Sequence, residues 1–335
     1  MAKSDKDNNS VLVTGAAGFI GFHTATRLLQ RGETVVGIDN LNDYYDVTLK
    51  EARLEQLANF KNFTFVKQDI ADKEGMEKLW RERGPFRRVV HLAAQAGVRY
   101  SLQNPYAYIT SNCMGHLTVM EMCRHTEGFT HLVYASSSSV YGGNIKLPFS
   151  VKDPVESPIS LYAATKRADE LMSQTYAHLY NIPQTGLRFF TVYGPWGRPD
   201  MALFIFTKAI SEGKKIEVFN NGEMKRDFTY VDDIVDGVLA TLDNPPERAE
   251  SAPHRVLNIG NTRSENLMDF VRIIENELGK KAEIEYKEMQ AGDVKETYAD
   301  VSETSALTGF KPKTPITDGV PRFIAWYKEY YGVYS

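Results

Sequence analysis

Short apolar runs alternate with amphipathic stretches along the first half of the chain. Glu33–Ile38, Asn62–Gln68, Arg88–Leu92, His131–Ala135 and Gln184–Phe190 each carry branched or aromatic residues over a strand's length, and Val11–Val13 opens the series. Between most of them, apolar positions recur at helical spacing, as in His23–Arg31. Runs that are apolar at successive positions suit strands buried on both faces, so the pattern predicts a parallel sheet covered by helices on each side. From about residue 191 the rhythm changes. Pro195, Gly197 and Pro199 mark an irregular loop, followed by a helix around Ala202–Glu212, a strand Ile216–Phe219, a helix Leu267–Leu278 and a strand Ile284–Lys287. Val256–Ile259 has the character of a strand returning to the main sheet.

The first strand carries the sharpest chemistry. Val11–Val13 runs through Thr14 into Gly15-Ala16-Ala17-Gly18-Phe19-Ile20-Gly21 and then into a helix. Gly15 permits the tight turn, Gly18 lets a pyrophosphate approach the backbone, and Gly21 lets helix pack on strand, while the helix N-terminus offers N–H groups to phosphate. A second strand ends in Asp39, at the spacing where an acid meets a ribose. Its carboxylate accepts from both ribose hydroxyls and repels a 2′-phosphate, and Asp39–Asn42 contains no Arg or Lys, so NAD is the expected cofactor. The fold class is α/β: a Rossmann-type doubly wound parallel sheet with a smaller, interleaved C-terminal substrate domain. Residues 9–190, with 228–262 returning to them, are expected to bind the cofactor; 191–227 and 263–335 form the second domain.

Composition narrows the partners. A formal charge of −4 over 335 residues, without long basic runs, gives nucleic acid no electrostatic footprint. No apolar stretch reaches membrane-spanning length, and Met1–Ser10 lacks a signal-peptide core, so neither membrane nor secretion is expected and the cytoplasm is the expected location. Cys113 and Cys123 read as packing residues, and the seven histidines are scattered, so no metal site is expected.

Ser136-Ser137-Ser138-Ser139 follows the strand His131–Ala135, and Tyr162-Ala163-Ala164-Thr165-Lys166 follows a turn-rich segment. On a helix, Tyr162 and Lys166 share a face. A nearby ammonium, together with a nicotinamide cation, favours a tyrosine phenolate, which can then take a proton from a hydroxyl as hydride leaves the same carbon. Ser137 could hold that hydroxyl. The competing reading is an ordinary surface pair beside a capping loop.

Together with Asp69-Ile70, Leu92-Ala93-Ala94, Val140-Tyr141-Gly142 and Arg226-Asp227-Phe228, these motifs resemble the extended short-chain dehydrogenase/reductase family, in order and through almost the whole chain. Within it the sequence is most similar to the UDP-glucuronate 4-epimerases, through Ala94–Ser101, Tyr193–Ala202 and Met289–Val294. The last of these usually carries a proline where Ala291 stands. The resemblance implies NAD contacts from Gly15, Gly18, Phe19, Ile20, Gly21, Asp39, Asn40, Asp69, Ile70, Leu92, Ala93, Ala94, Asn112, Phe189 and Lys166. It implies catalysis by Tyr162, Lys166 and Ser137. For the UDP-sugar it implies Ser138, Ser139, Thr191, Val218, Arg226 and Asp293, and it implies a homodimer through the helices around Tyr106–His125 and Tyr162–Tyr180.

The implied activity is 4-epimerisation of UDP-glucuronate through a transient 4-keto sugar. Such a β-keto acid loses carbon dioxide unless its carboxylate is held, and a guanidinium holds it with two parallel bonds. Arg198 is the first candidate for this and Arg99 the second; either could instead bridge a structural acid such as Asp200. The family's dehydratases and decarboxylases place an acid just before Val-Tyr-Gly, where this chain has Ser138 and Ser139, so elimination is disfavoured. Epimerisation of UDP-glucose and UDP-galactose, a dehydrogenase releasing NADH, and a non-catalytic NAD sensor are the alternatives.

Overall fold

The computed structural model describes residues 10–248, 251–289 and 294–333. Its main sheet has seven parallel strands: β1 Val11–Thr14, β2 Val35–Asp39, β3 Phe63–Lys67, β4 Arg88–His91, β5 His131–Ser137, β6 Gln184–Phe189 and β7 His254–Ile259. They lie in the order β7-β6-β5-β4-β1-β2-β3. The doubly wound parallel sheet expected from the apolar pattern is therefore present, and its direction of winding reverses between β1 and β4, whose registers pair Val11 with Arg88 and Thr14 with His91. A ligand cleft belongs at the strands' C-terminal ends beside this reversal.

The helices α1 (Phe19–Gln30) and α2 (Val47–Ala58) connect the first three strands. Beyond β6 come the helix Ala202–Ser211, the paired parallel strands Ile216–Phe219 and Ile284–Lys287, the helix Leu267–Leu278 and the C-terminal helix Ile316–Tyr331. The short strand Thr191–Tyr193 pairs with Phe228–Tyr230. One buried apolar cluster runs continuously from Val11 and Leu28 through Phe190 and Val235 to Phe270 and Phe323, so main sheet and C-terminal elements share a core. At roughly 25 cal/mol per Å² of apolar surface, such burial is the principal term holding the two parts together.

Two departures from the sequence pattern bear on the cleft. Strand β5 extends two residues further than its apolar run, because Ser136 Oγ donates to buried Glu170 (2.7 Å) and so replaces its solvent bonds. The helix expected around Tyr106–His125 is broken into Tyr100–Gln103, Pro105–Tyr108, a π-helical turn Ile109–Met114 and the helix Gly115–Arg124. Within the wide turn, Asn112 faces inward. Its Oδ1 accepts from Gln95 N–H (2.8 Å), and its Nδ2 donates to Gln95 C=O (3.1 Å) and Thr165 Oγ1 (3.0 Å). These bonds compensate the irregular backbone.

Candidate active site

A cleft of about 1040 Å³ opens along the C-terminal edge of the sheet and extends toward Ile216 and Arg226. One end is formed by the turn after β1. There Gly15 adopts φ +72°, and a Cβ on it would stand 2.8 Å from Ala93 N; on Gly21 a Cβ would stand 1.9 Å from Gly15 O. Thr14 Oγ1 accepts from Leu92 N–H (3.1 Å) and Ala93 N–H (3.0 Å), fixing the loop after β4 against the turn. Gly15, Gly18, Phe19, Ile20 and Gly21 all line the cleft, as do Leu92, Ala93 and Ala94. A backbone cradle with no room for side chains suits a pyrophosphate.

Asp39, at the end of β2, also lines the cleft, and its Oδ1 accepts from Leu41 N–H (2.9 Å). Asn40 donates to Asp69 (2.9 Å), and Asn40, Asp69 and Ile70 complete this corner. The absence of a cation beside Asp39 does not survive folding. Helix α2 brings Lys50 Nζ to 3.9 Å from Asp39 Oδ1, where it is held by Asn42 C=O and Oδ1, each at 2.8 Å.

The other wall is made by the helix Leu161–Tyr180, capped by Ser160, whose Oγ accepts from Ala163 N–H (3.1 Å). Tyr162 and Lys166 line the cleft from its first turns, and Ser137 lines it from the end of β5. Lys166 Nζ donates to Ala135 C=O (3.0 Å) and to Asp169 Oδ2 (3.1 Å). Burial pushes the Asp169 carboxyl up to about 6, against the pull of the Lys166 charge. One turn beyond Lys166, Glu170 accepts from Ser136, Arg188 and Arg167, which locks the helix to β5 and β6 and sets Tyr162 relative to Ser137. Ser137 Oγ accepts from Ser139 N–H (3.2 Å) and Ser139 Oγ (2.9 Å), joining Ser137, Ser138 and Ser139 into one hydroxyl-rich wall without a carboxylate among them.

Phe189, Thr191, Arg99, Arg198 and Arg226 line the remainder. Arg99 lies over the Phe219 ring at 4.9 Å, and Arg226 Nη1 donates to the carbonyls of Lys225 (2.9 Å) and Lys295 (3.2 Å). Arg198 is already engaged. Its Nε and Nη2 donate to the two oxygens of Asp200 (3.0 and 2.5 Å), and Tyr44 OH donates to the same carboxylate (3.0 Å). Burial opposes both charges, but their mutual attraction outweighs it, holding Asp200 below and Arg198 above the ordinary value. The Nε–Nη2 edge of the guanidinium is thus taken by Asp200, while Nη1 and the second hydrogen of Nη2 are not used by it.

Two expected site residues lie outside the cleft wall. Asn112 stands behind it as the brace of Gln95. Val218 is fully buried and does not line the cleft, which its neighbours Ile216, Glu217 and Phe219 do. Asp293 lies outside the described residues. The sequence reading missed Thr14, Lys50, Asp169, Glu170 and the Tyr44–Asp200 pair. Of these Asp169 and Glu170 left a trace, as carboxylates on the buried side of the Tyr162 helix, and Asp200 only as an acid that an arginine could bridge. Among the described residues no group of three or more His, Cys, Asp or Glu side chains could hold a metal ion.

A strand–turn–helix cradle, an acid at the end of β2 and a Tyr–Lys pair across from a serine define a dinucleotide-dependent enzyme site of the short-chain dehydrogenase/reductase type. Residues 11–260 match the NAD dependent epimerase/dehydratase family, and the chain belongs to that family, with NAD as its cofactor. It is 48% identical to UDP-glucuronate 4-epimerase 4 of Arabidopsis thaliana, over 98% of this chain and 77% of that protein. It is 52% identical to protein CapI of Staphylococcus aureus, over 96% and 99% of the two chains. Its fold matches the crystal structure of UDP-glucuronic acid 4-epimerase from Bacillus cereus in complex with UDP-glucuronic acid and NAD, with a TM-score of 0.88, 34% identity, and coverage of 96% of this chain and 100% of that one. The family resemblance drawn from the motifs is borne out.

Proposed function

We propose that this protein interconverts UDP-glucuronate and UDP-galacturonate by inverting the sugar at C4, with NAD held in the cleft throughout. The observation that carries the reading is the cleft itself, which places the glycine turn, the Tyr162–Lys166 face, Ser137 and three arginines on one continuous surface. Its similarity to named UDP-glucuronate 4-epimerases selects the sugar.

NAD, when bound, accepts the C4 hydride and returns it. Gly15, Gly18 and Gly21 shape the pyrophosphate cradle, and Asp39 takes ribose hydroxyls. Tyr162 removes the proton from the C4 hydroxyl and gives it back from the same oxygen, with Lys166 one turn on along the same helical face. Ser137 donates to the C4 oxygen and keeps it within reach of Tyr162. The remaining N–H bonds of Arg198, with the hydroxyls of Ser138 and Thr191, hold the carboxylate in the plane of the keto group and so oppose decarboxylation. Arg226 meets the UDP pyrophosphate, and the uracil lies along Ile216 and Phe219. Without a carboxyl group on the serine wall, no acid–base residue is set for elimination.

Residues 9–190 with 228–262 are the cofactor-binding part in this reading, and 191–227 with 263–335 the nucleotide-sugar part. A second copy covers the adjacent segments 100–124 and 161–180, whose outer faces expose Leu102, Tyr106, Ile109, Met114, Leu171 and Leu179. Among the described residues no helix is long and apolar enough to cross a membrane, and we place the activity in the cytoplasm, with its free NAD.

The test is incubation of purified protein with UDP-glucuronate in buffer free of added NAD, with products resolved by anion-exchange chromatography. UDP-galacturonate should accumulate to a constant ratio. Faster conversion of UDP-glucose than of UDP-glucuronate would overturn the choice of sugar.

A further inference from the structure

Helix α2 carries Arg53, which heads the largest side chains that are fully buried, at 0% exposure. Its Nη1 donates to Ala17 C=O (2.8 Å) and Tyr45 OH (2.9 Å), and its Nη2 to the carbonyls of Trp196 (2.6 Å) and Gly197 (3.4 Å). Nε has no hydrogen-bond partner. Every acceptor is neutral, and among the described residues no carboxylate pairs with this guanidinium. A buried cation without a counter-charge is expensive unless something anionic arrives to balance it.

The position of Arg53 shows what could arrive. Ala17 lies between Gly15 and Gly18, so the guanidinium sits directly behind the turn whose front faces the cleft. Arg53 itself is absent from the cleft wall. On its other side it holds the loop that leads to Arg198. His23 of α1 reinforces that hold through Nε2–H to Pro195 C=O (2.9 Å), and Trp196, at φ +61°, packs its ring against Phe22, Trp326 and Tyr330.

We propose that the pyrophosphate of the dinucleotide is the missing counter-charge of Arg53, which acts as a positioning residue that braces the phosphate turn from behind and ties it to the 194–198 loop. The free protein carries the uncompensated charge, and the bound cofactor relieves it. Cofactor affinity and the geometry of the loop bearing Arg198 are thereby linked through one side chain. The inference requires only that the cleft binds NAD, and it stands whichever sugar is the substrate.

The test uses Arg53→Gln, which removes the charge but keeps a donor, and Arg53→Lys, which keeps the charge but loses the fork. Each full-length protein is prepared loaded with NAD and stripped of it, and Tm is measured in both states. Binding of NAD, ADP and adenosine to the stripped form is measured by calorimetry. A unit charge acting on one phosphate across roughly 8–10 Å at an effective dielectric near 20 changes affinity by a factor of about 20. Arg53→Gln should therefore lose about that factor for NAD and ADP and almost none for adenosine, and its loaded form should lose more Tm against loaded wild type than its stripped form loses against stripped wild type. Arg53→Lys should recover most of the ADP affinity. Equal losses for ADP and adenosine, or stripped and loaded Tm falling together with affinity intact, would show Arg53 to be a strut only. If Arg53→Gln does not fold, Arg53→Lys alone decides on the ADP-to-adenosine ratio. Failure of both to fold unliganded overturns the proposal, since the chain itself would then need the cation.

Discussion

Replacing Arg198 by alanine separates two roles that the structure superposes. Its Nε and Nη2 donate to Asp200, at 3.0 and 2.5 Å, which leaves Nη1 and the second hydrogen of Nη2 for a ligand carboxylate. One charge-assisted hydrogen bond contributes about 1.5–3 kcal/mol, which at 1.4 kcal/mol per decade is a factor of about 10–150. Arg198→Ala also leaves the partly buried Asp200 with Tyr44 as its remaining side-chain partner. That loss falls on any sugar and cancels in a ratio. The quantity to measure is kcat/KM for UDP-glucuronate divided by kcat/KM for UDP-glucose, from initial rates by chromatography. The ratio should fall by at least tenfold in Arg198→Ala, and carbon dioxide and a UDP-pentose should become detectable by mass spectrometry. Arg198→Lys should lie between the two, because an ammonium cannot hold Asp200 with two parallel bonds and reach a ligand as well. An unchanged ratio without pentose would refute the reasoning; Arg198 would then serve Asp200 and Tyr44 alone, and the serine wall would carry the carboxylate.

Three further outcomes are expected. Tyr162→Phe should lower kcat by 10²–10⁴-fold, the usual weight of a general base, with NAD still bound after gel filtration; a variant keeping a tenth of the activity would assign the proton to another group. Asp39→Ser should raise the affinity for NADP relative to NAD by tenfold or more, because it removes the repulsion and leaves Lys50 Nζ nearby; unchanged relative affinity in a binding titration would show that the ammonium is spent on Asn42. His131 is buried between Leu242 C=O and Thr185 Oγ1, and burial pulls its pKa down to about 4. The unfolded chain titrates near 6.5, so the stability tied to its neutral form is present above that pH and is lost as pH falls toward 4. From pH 7 to pH 5 this amounts to about 2 kcal/mol. His131→Asn should therefore lose less stability on acidification than wild type in urea unfolding, and parallel pH dependences would contradict the assignment.

Features dictated by local pattern were legible. The strand Ile216–Phe219, the helix Leu267–Leu278 and the strand Ile284–Lys287 fall where their apolar spacing puts them. Tyr162 and Lys166 share the cleft wall because helical periodicity requires it. What stayed hidden depends on tertiary partners. The π-helical turn around Asn112 exists because Gln95 and Thr165 await its amide, and neither is near in sequence. Lys50 and Arg53 give no local signal of their roles, because their partners Asn42, Ala17 and Trp196 meet them only on folding. The Arg198–Asp200 pair is only two residues apart, yet sequence alone left it as one of two readings; geometry decides that Asp200 holds the guanidinium.

The most direct test follows the hydrogen on C4. UDP-glucuronate deuterated at that carbon is incubated with the protein in ordinary water, without added NAD, and the UDP-galacturonate formed is examined by mass spectrometry and NMR. Hydride that leaves and returns within a held cofactor, while Tyr162 handles only the hydroxyl proton, predicts that the deuterium stays on C4 of the inverted sugar. Exchange of the label with solvent, or turnover only when NAD is supplied and consumed, would contradict the account.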